Sequence, residues 1–203
     1  EPMLLAVGST MRRGAIPTPI AGAPESIKLF YRVVCAPDRI NDDLPLLLFL
    51  QGGPGGESPR PLSPTSDGWI EEAVKHFRVV LPDQRGTGRS SCVDGRTIAA
   101  LGERAEAAGS DAARSQADFL KRHLASSIVR DFEYLRLVGF GGKPWVTLGQ
   151  SYGGFLTLSY LSLFPEGVAA SFTCGGIPHV PASASEVYAH TFPRMAAKTQ
   201  QYY

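Results

Sequence analysis

The residues best suited to chemistry form the motif Gly-Gln-Ser-Tyr-Gly at 149–153, in which Ser151 is the central residue. A run with β-branched and aromatic character, residues 145–148, precedes it, and a long apolar segment with helical spacing follows. This order predicts a strand, a sharp turn and a helix, the context that exposes a serine nucleophile. Glycines suit such a turn because the flanking backbones approach closely and a Cβ would clash. The motif favours acyl transfer on Ser151, although an ordinary Gly/Ser turn has the same composition.

Acyl transfer also requires amide donors for the oxyanion. The amide of Tyr152, directly after the serine, is the first predicted donor, because the residue after the nucleophile supplies one in such turns. The loop Gln-Gly-Gly-Pro-Gly-Gly at 51–56 is expected to supply the second. Gly53 is the preferred donor and Gly52 the next, since a loop without side chains lets its amides point inward. The loop lacks the Gly-Lys-Ser/Thr ending of a phosphate-binding loop.

Strand and helix patterns alternate along the chain, which predicts an α/β fold with a parallel sheet. Residues 46–50 are apolar at every position, so this strand is expected to be covered on both faces. The other predicted strands are 27–34, 77–81, the run before Ser151, and 169–174; the predicted helices are 69–76, 127–137 and 153–164, with surface helices between 98 and 124.

The amino-terminal stretch, residues 8–26, is rich in Gly, Pro, Ala and Thr and is expected to be a loop with one edge strand near 15–20. The glycine loop 51–56, the loop 83–90 and Ser151 each follow a predicted strand. Because ligands bind at the carboxyl ends of parallel strands, these three segments are expected to converge at one edge of the sheet.

The overall composition excludes several classes of partner. A formal net charge of +1 gives no electrostatic case for nucleic acid or membrane binding, and no apolar run approaches the length of a membrane span. The three cysteines are odd in number and match no metal spacing, so free thiols in the cytoplasm are expected, with no metal or cofactor.

Three motifs together resemble the proline iminopeptidases (prolyl aminopeptidases), serine peptidases of the α/β-hydrolase fold. They are Gln-Gly-Gly-Pro-Gly-Gly at 51–56, Asp-Gln-Arg-Gly-Thr-Gly-Arg-Ser at 83–90 and Gly-Gln-Ser-Tyr-Gly-Gly at 149–154. Each motif alone also occurs in esterases and epoxide hydrolases, whereas the combination is specific. The family's glycine loop often begins with His, and Gln51 stands there in this chain, as in the larger members.

The resemblance implies an α/β-hydrolase fold with a mostly parallel sheet flanked by helices, in which residues 1–176 form the amino-terminal part of the core. Residues 177–203 would begin the family's helical cap. The implied substrate is a peptide with an N-terminal proline, released through an acyl-enzyme on Ser151. Asp83 and Arg85 would support the active-site wall by hydrogen bonds, although Asp83 could equally be a strand-end carboxylate that bonds nearby amides.

The partners of the serine are not recognisable in this chain. In this fold they follow in the order serine, acid, histidine. The carboxylates after Ser151 are Glu166 and Glu186, and neither follows a predicted strand. The histidines are His179, at the junction between strand and cap, and His190, within the cap, and both are expected to be surface or loop residues. We therefore expect the sheet to be truncated before its last core strands, with the acid, the base and the amine-binding residues beyond residue 203. The isolated chain would then be inactive and poorly soluble.

Two other functions remain open from the sequence. One is an esterase or amidase of the same fold without a free-amine requirement. The other is a non-catalytic binding module that keeps the serine turn but has no base. Oligomeric state leaves no signal in the sequence.

Overall fold

The computed structural model describes residues 5–13, 27–62, 68–176 and 183–202. Six strands form one mixed sheet in the order β1-β2-β4-β3-β5-β6. The pairs β3–β4, β3–β5 and β5–β6 are parallel, whereas β1–β2 and β2–β4 are antiparallel. The strands are β1 Leu5–Arg13, β2 Ile27–Cys35, β3 Leu46–Leu50, β4 Arg78–Pro82, β5 Trp145–Gln150 and β6 Val168–Cys174.

Helices connect the parallel strands and cover the sheet, as the alternating pattern predicts. They are α1 Gly68–Ala73, α2 Gly95–Ala107, α3 Ala112–Leu120, α4 Ala125–Gly139, α5 Tyr152–Leu163, α6 Ala184–Ala189 and α7 Thr191–Tyr202. No described helix has both the length and the apolar character needed to cross a bilayer.

Strand β3 lies at the centre of the core, and all five of its residues are buried. Its side chains alternate between two apolar clusters, which explains why an alternating polar pattern is missing. Leu48 packs with residues of α4 and α5 on one face, and Phe49 packs with Ile70 of α1 on the other. The prediction of a strand covered on both faces is therefore confirmed.

The three candidate loops follow β3, β4 and β5, which are neighbours in the sheet. Because β3 is parallel to both β4 and β5, the carboxyl ends of all three strands lie at the same edge. The loop 51–56, the loop 83–90 and Ser151 meet there, as expected.

The prediction for the amino terminus is wrong over residues 8–13. These residues were expected to be a loop, but they belong to β1, which pairs antiparallel with β2 along its whole length. Backbone pairing with an existing strand stabilises β1 even though its composition is typical of loops. The edge strand expected near 15–20 falls outside the described residues.

At the lateral edge of the sheet opposite β1, the outermost strand is β6, and no further described strand pairs with it. Strand β6 pairs with β5 alone, and its residues 169–174 are exposed. Helices α6 and α7 pack against each other, and their large side chains Tyr188, Phe192 and Met195 are exposed.

Candidate active site

Ser151 sits on a strained turn between β5 and α5. Its φ of +53° and ψ of −116° lie where residues with a Cβ are rarely found, and no other described non-glycine residue has a positive φ. Two bonds hold this conformation: the Ser151 amide donates to the Cys174 carbonyl at 2.9 Å, and the Gly154 amide donates to the Ser151 carbonyl at 2.8 Å. The strained turn leaves Ser151 exposed to solvent.

Close packing around the turn explains the glycines of the motif. A Cβ on Gly153 would collide with the Leu50 carbonyl at the end of β3, and one on Gly149 would collide with Gly153 and with the hydroxyl of Thr157. Helix α5 can therefore approach the sheet closely only because these positions lack side chains.

The glycine loop lies directly against the serine. An ideal Cβ built on Gly52 would be 3.0 Å from Cβ of Ser151 and 2.9 Å from the carbonyl oxygen of Gln150. The amide of Gly52 already donates to Oε1 of Gln51 at 2.8 Å, and Gly52 is buried. Gly53 is exposed, and within the described part of the chain its amide has no acceptor. The amide of Tyr152, the first residue of α5, likewise has no acceptor in that part of the chain.

Asp83 joins two segments at the end of β4. Its carboxylate is fully buried and accepts hydrogen bonds from the amide of Ser58 at 3.1 Å, the amide of Arg89 at 2.8 Å and Nη2 of Arg60 at 2.6 Å. Asp83 thereby fixes residues 57–60 against the loop 83–90, in line with a carboxylate that bonds nearby amides.

Arg85 binds helix α4. Its guanidinium donates to both carboxylate oxygens of Asp131, at 2.6 and 2.7 Å, and to the carbonyl of Arg122 at 2.7 Å. Arg85 and Asp131 are both buried. Arg85 thus anchors the loop 83–90 to α4.

No histidine in the described ranges reaches the serine, and the Ser151 hydroxyl makes no hydrogen bond within them. His76 is largely exposed, and its Nε2 lies 3.5 Å from Oε1 of Glu72. His190 is exposed at the end of α6. The ring of His123 is half-buried, and its Nδ1 lies 3.2 Å from the Phe119 carbonyl. Burial lowers the pKa of His123, and the positive charge of Arg85 lowers it further. His179 falls outside the described residues.

Two of the cavities lie at opposite ends of the parallel strands. One of about 220 Å³ adjoins the glycine loop at Pro54 and Gly55 and extends to His123 and Ile128. A larger cavity of about 560 Å³ lies at the amino ends of the strands, where Leu46 begins β3 and Arg78 begins β4. It is therefore not part of the serine site, which lies at the carboxyl ends. Within the described segments, no three His, Cys, Asp or Glu side chains cluster as metal ligands.

Sequence reasoning did not single out Asp131, Arg60 or the side-chain bonds of Gln51. Asp131 could have been found, because it is a carboxylate within the apolar stripe of α4, one turn from Ile128, where a buried cation must accompany it. The partners of Arg60 and Gln51 lie in loops and left no periodic signal.

Comparisons with known proteins agree on one fold family. The family model of the α/β-hydrolase fold matches residues 45–202. A proline iminopeptidase of Aeromonas sobria is 44% identical over 88% of this chain and 39% of its own length. A proline iminopeptidase of Aspergillus aculeatus is 33% identical with the same coverage. The chain therefore spans about two fifths of the length of these relatives.

Among solved structures, a thermophilic esterase from Thermogutta terrifontis with bound malate superposes with a TM-score of 0.51. The two chains share 20% sequence identity, and the match covers 87% of this chain and 48% of the esterase chain. At this identity the match concerns the fold alone.

Proposed function

Because this chain belongs to the α/β-hydrolase fold family, we propose that it carries the nucleophile of a serine aminopeptidase that releases N-terminal proline from peptides. The observation that carries the proposal is the strained, exposed Ser151 lying against the glycine loop. The proline iminopeptidase relatives support the choice of substrate. The substrate is a peptide whose first residue is proline with a free secondary amine.

In the proposed reaction, Oγ of Ser151 attacks the carbonyl carbon of the N-terminal proline and loses its proton to a general base. The resulting tetrahedral intermediate expels the shortened peptide as an amine, which takes up that proton, and leaves a prolyl ester on Ser151. Water then hydrolyses the ester and frees proline. The base and its orienting acid are proposed to come from residues outside these 203, in the order typical of the fold.

Two amides are proposed to stabilise the oxyanion of the intermediate. Tyr152 supplies one at the start of α5, where the helix dipole also favours negative charge. Gly53 supplies the other; its amide has no acceptor within the described residues, whereas the amide of Gly52 is occupied by Gln51. An oxyanion-hole donor typically contributes roughly 10²–10³ in kcat.

Asp83 and Arg85 are proposed to support this site without touching the substrate. Asp83 holds residues 57–60 beside the glycine loop, and Arg85 holds the loop 83–90 on α4. Both side chains are buried, which suits a supporting role better than contact with a peptide.

The domain division and the compartment are part of the same proposal. Residues 1–176 would form the amino-terminal part of the catalytic core, and 177–203 would begin a helical cap, for which the exposed apolar side chains of α6 and α7 offer a contact surface. The three cysteines are free thiols, which supports a reducing compartment such as the cytoplasm.

The test compares a proline arylamide with its N-acetylated form on the full-length natural protein. We expect hydrolysis of the free-amine substrate alone, and loss of that hydrolysis in Ser151→Ala. Equal hydrolysis of both substrates would indicate an esterase or amidase instead. Absence of any hydrolysis, with Ser151 unreactive toward a fluorophosphonate, would indicate a non-catalytic module.

A further inference from the structure

We infer that Gln51 is a positioning residue, whose side chain holds the glycine loop so that the Gly53 amide, and not the Gly52 amide, faces the substrate. The inference deepens the proposed function and rests on it for the identity of the reaction. Gln51 does not contact the reacting atoms in this account; it acts through the backbone of the loop.

The side chain of Gln51 bridges the two ends of the loop. Its Oε1 accepts a hydrogen bond from the amide of Gly52 at 2.8 Å, and its Nε2 donates to the carbonyl of Glu57 at 2.8 Å. The carbonyl of Gln51 in turn accepts from Nε2 of Gln84 at 2.8 Å. One residue therefore links the loop after β3 to itself and to the loop after β4.

The loop needs such a restraint because four of its six residues are glycines. A glycine has more backbone freedom than any other residue, so holding this loop in one conformation costs more entropy than for an ordinary loop. A mobile loop would present its amides to the oxyanion in only part of its conformations, whereas catalysis requires donors that are already in place.

The far end of the bridge is firmly anchored. Glu57 forms an ion pair with Arg60, and Arg60 also binds the buried carboxylate of Asp83 at the end of β4. The amide of the next residue, Ser58, donates to the same carboxylate. The bond from Gln51 to the Glu57 carbonyl thus ties the glycine loop to the segment 57–60, which Asp83 holds at the end of β4.

The bridge also selects which amide is available. Gly52 lies beside Ser151, since a Cβ built on it would be 3.0 Å from Cβ of the serine. Its amide is therefore the alternative donor that the bridge has to exclude. The acceptor oxygen of Gln51 occupies that amide. The next amide, that of Gly53, is left for the substrate.

Two substitutions separate the two halves of the bridge in the full-length natural protein. Gln51→Met keeps the length of the side chain and removes both hydrogen bonds. Gln51→Glu keeps an acceptor for the Gly52 amide but cannot donate to the Glu57 carbonyl. Gln116→Met is the matched control, because Gln116 of α3 also donates from Nε2 to a backbone carbonyl, that of Ile98 in α2, at 2.9 Å.

For Gln51→Met we expect kcat on a proline arylamide to fall roughly 10- to 100-fold, since the donor is mispositioned and not deleted. KM should stay within about threefold, because the lost interaction belongs to the transition state. Gln51→Glu should fall between Gln51→Met and the natural protein, and Gln116→Met should match the natural protein. Unchanged kcat in Gln51→Met, or an equal loss in Gln116→Met, would overturn the inference.

Hydrogen–deuterium exchange of the segment 51–57 gives a readout that needs no substrate. Relative to the natural protein, we expect faster exchange in Gln51→Met and unchanged exchange in Gln116→Met. Gln51→Glu should exchange more slowly than Gln51→Met. If the natural protein released no proline, the proposed function would fail, and exchange would still decide the role of Gln51. Unaltered exchange in Gln51→Met would overturn that role whatever the substrate.

Discussion

The guanidinium of Arg85 donates two hydrogen bonds to the carboxylate of Asp131, at 2.6 and 2.7 Å, and both side chains are buried. The two residues are 46 positions apart in the sequence. Their ion pair joins the loop after β4 to helix α4, so it fixes one wall of the candidate site relative to the core.

Asp131→Asn should destabilise the full-length natural protein by about 3–5 kcal/mol, because it leaves the charge of Arg85 buried without its counterion. Urea unfolding at pH 7 measures this change. The surface pair Arg114–Asp118, in which Asp118 also binds Lys121, offers a control, and Asp118→Asn should shift the unfolding midpoint far less. The double variant Arg85→Met/Asp131→Leu should recover most of the lost stability. Similar midpoints for Asp131→Asn and Asp118→Asn would contradict the structural role of the pair.

Gly153→Ala should destabilise the fold by about 3 kcal/mol, because the new Cβ would collide with the Leu50 carbonyl and push α5 away from the sheet. Gly95→Ala is the control, since a Cβ at that position meets no atom within 4 Å. We expect Gly95→Ala to be neutral or slightly stabilising. Thermal unfolding of both variants tests the difference, and equal melting temperatures would contradict the close approach of α5 to β3.

Ser151→Gly should raise the free energy of unfolding by about 1 kcal/mol while abolishing hydrolysis. The strain of a non-glycine residue at positive φ costs about 1–3 kcal/mol, and the added backbone freedom of glycine offsets part of the gain. Ser151→Ala removes the same hydroxyl but keeps the strain, so it should lose hydrolysis without the gain in stability. Denaturant unfolding compares the two variants; equal stabilities would argue against strain at the turn.

The central sheet and the serine turn could be predicted from the sequence because their signals are local. Residues 46–50 are apolar at every position, and Ser151 lies between a strand pattern and a helix pattern. Strand β1 could not be predicted in the same way, because β2 stabilises its residues 8–13 through backbone pairing. Such pairing leaves little trace in side-chain pattern.

The supporting contacts of the site also escaped prediction, for a related reason. The partner of Arg85 lies on α4, and the partners of Asp83 lie between 58 and 89 in loops without periodic pattern. Only the fold brings these groups together. The sequence therefore indicates which residues line the edge of the sheet, but not which of them hold one another in place.

Acid should weaken the clamp between α4 and α5 in which Glu133 accepts from Arg136 and from the hydroxyl of Tyr160. The hydrogen bond from Arg136 is the main cause that holds the pKa of Glu133 below its ordinary value of 4.5. The stabilisation is therefore fully present above 4.5 and declines as the pH falls below it toward the pKa of the folded state.

Glu133→Gln removes this titration, so its free energy of unfolding should fall less steeply between pH 5 and 3 than that of the natural protein. Urea unfolding at several pH values in that interval gives both slopes. A hydrogen bond from Lys75 also lowers the pKa of Glu72, but this pair is exposed, so Glu72→Gln should change the slope less than Glu133→Gln does. If the slopes of Glu133→Gln and the natural protein coincided, the Glu133 carboxylate would not be stabilised by folding.

The open edge of β6 should make the 203-residue polypeptide aggregate when it is expressed alone. Residues 169–174 are exposed and, among the described strands, pair with β5 alone, and they carry no charged side chain. An unpaired, uncharged edge readily pairs with another chain, and a lysine on the strand opposes this pairing.

Phe172→Lys, at a side chain that is 56% exposed, should therefore increase the monomeric fraction in size-exclusion chromatography. Phe192→Lys on α7, where the side chain is 72% exposed, removes a similar apolar surface away from the edge and should have a smaller effect. An equal gain from both variants would assign the aggregation to exposed apolar surface in general and not to the edge of β6.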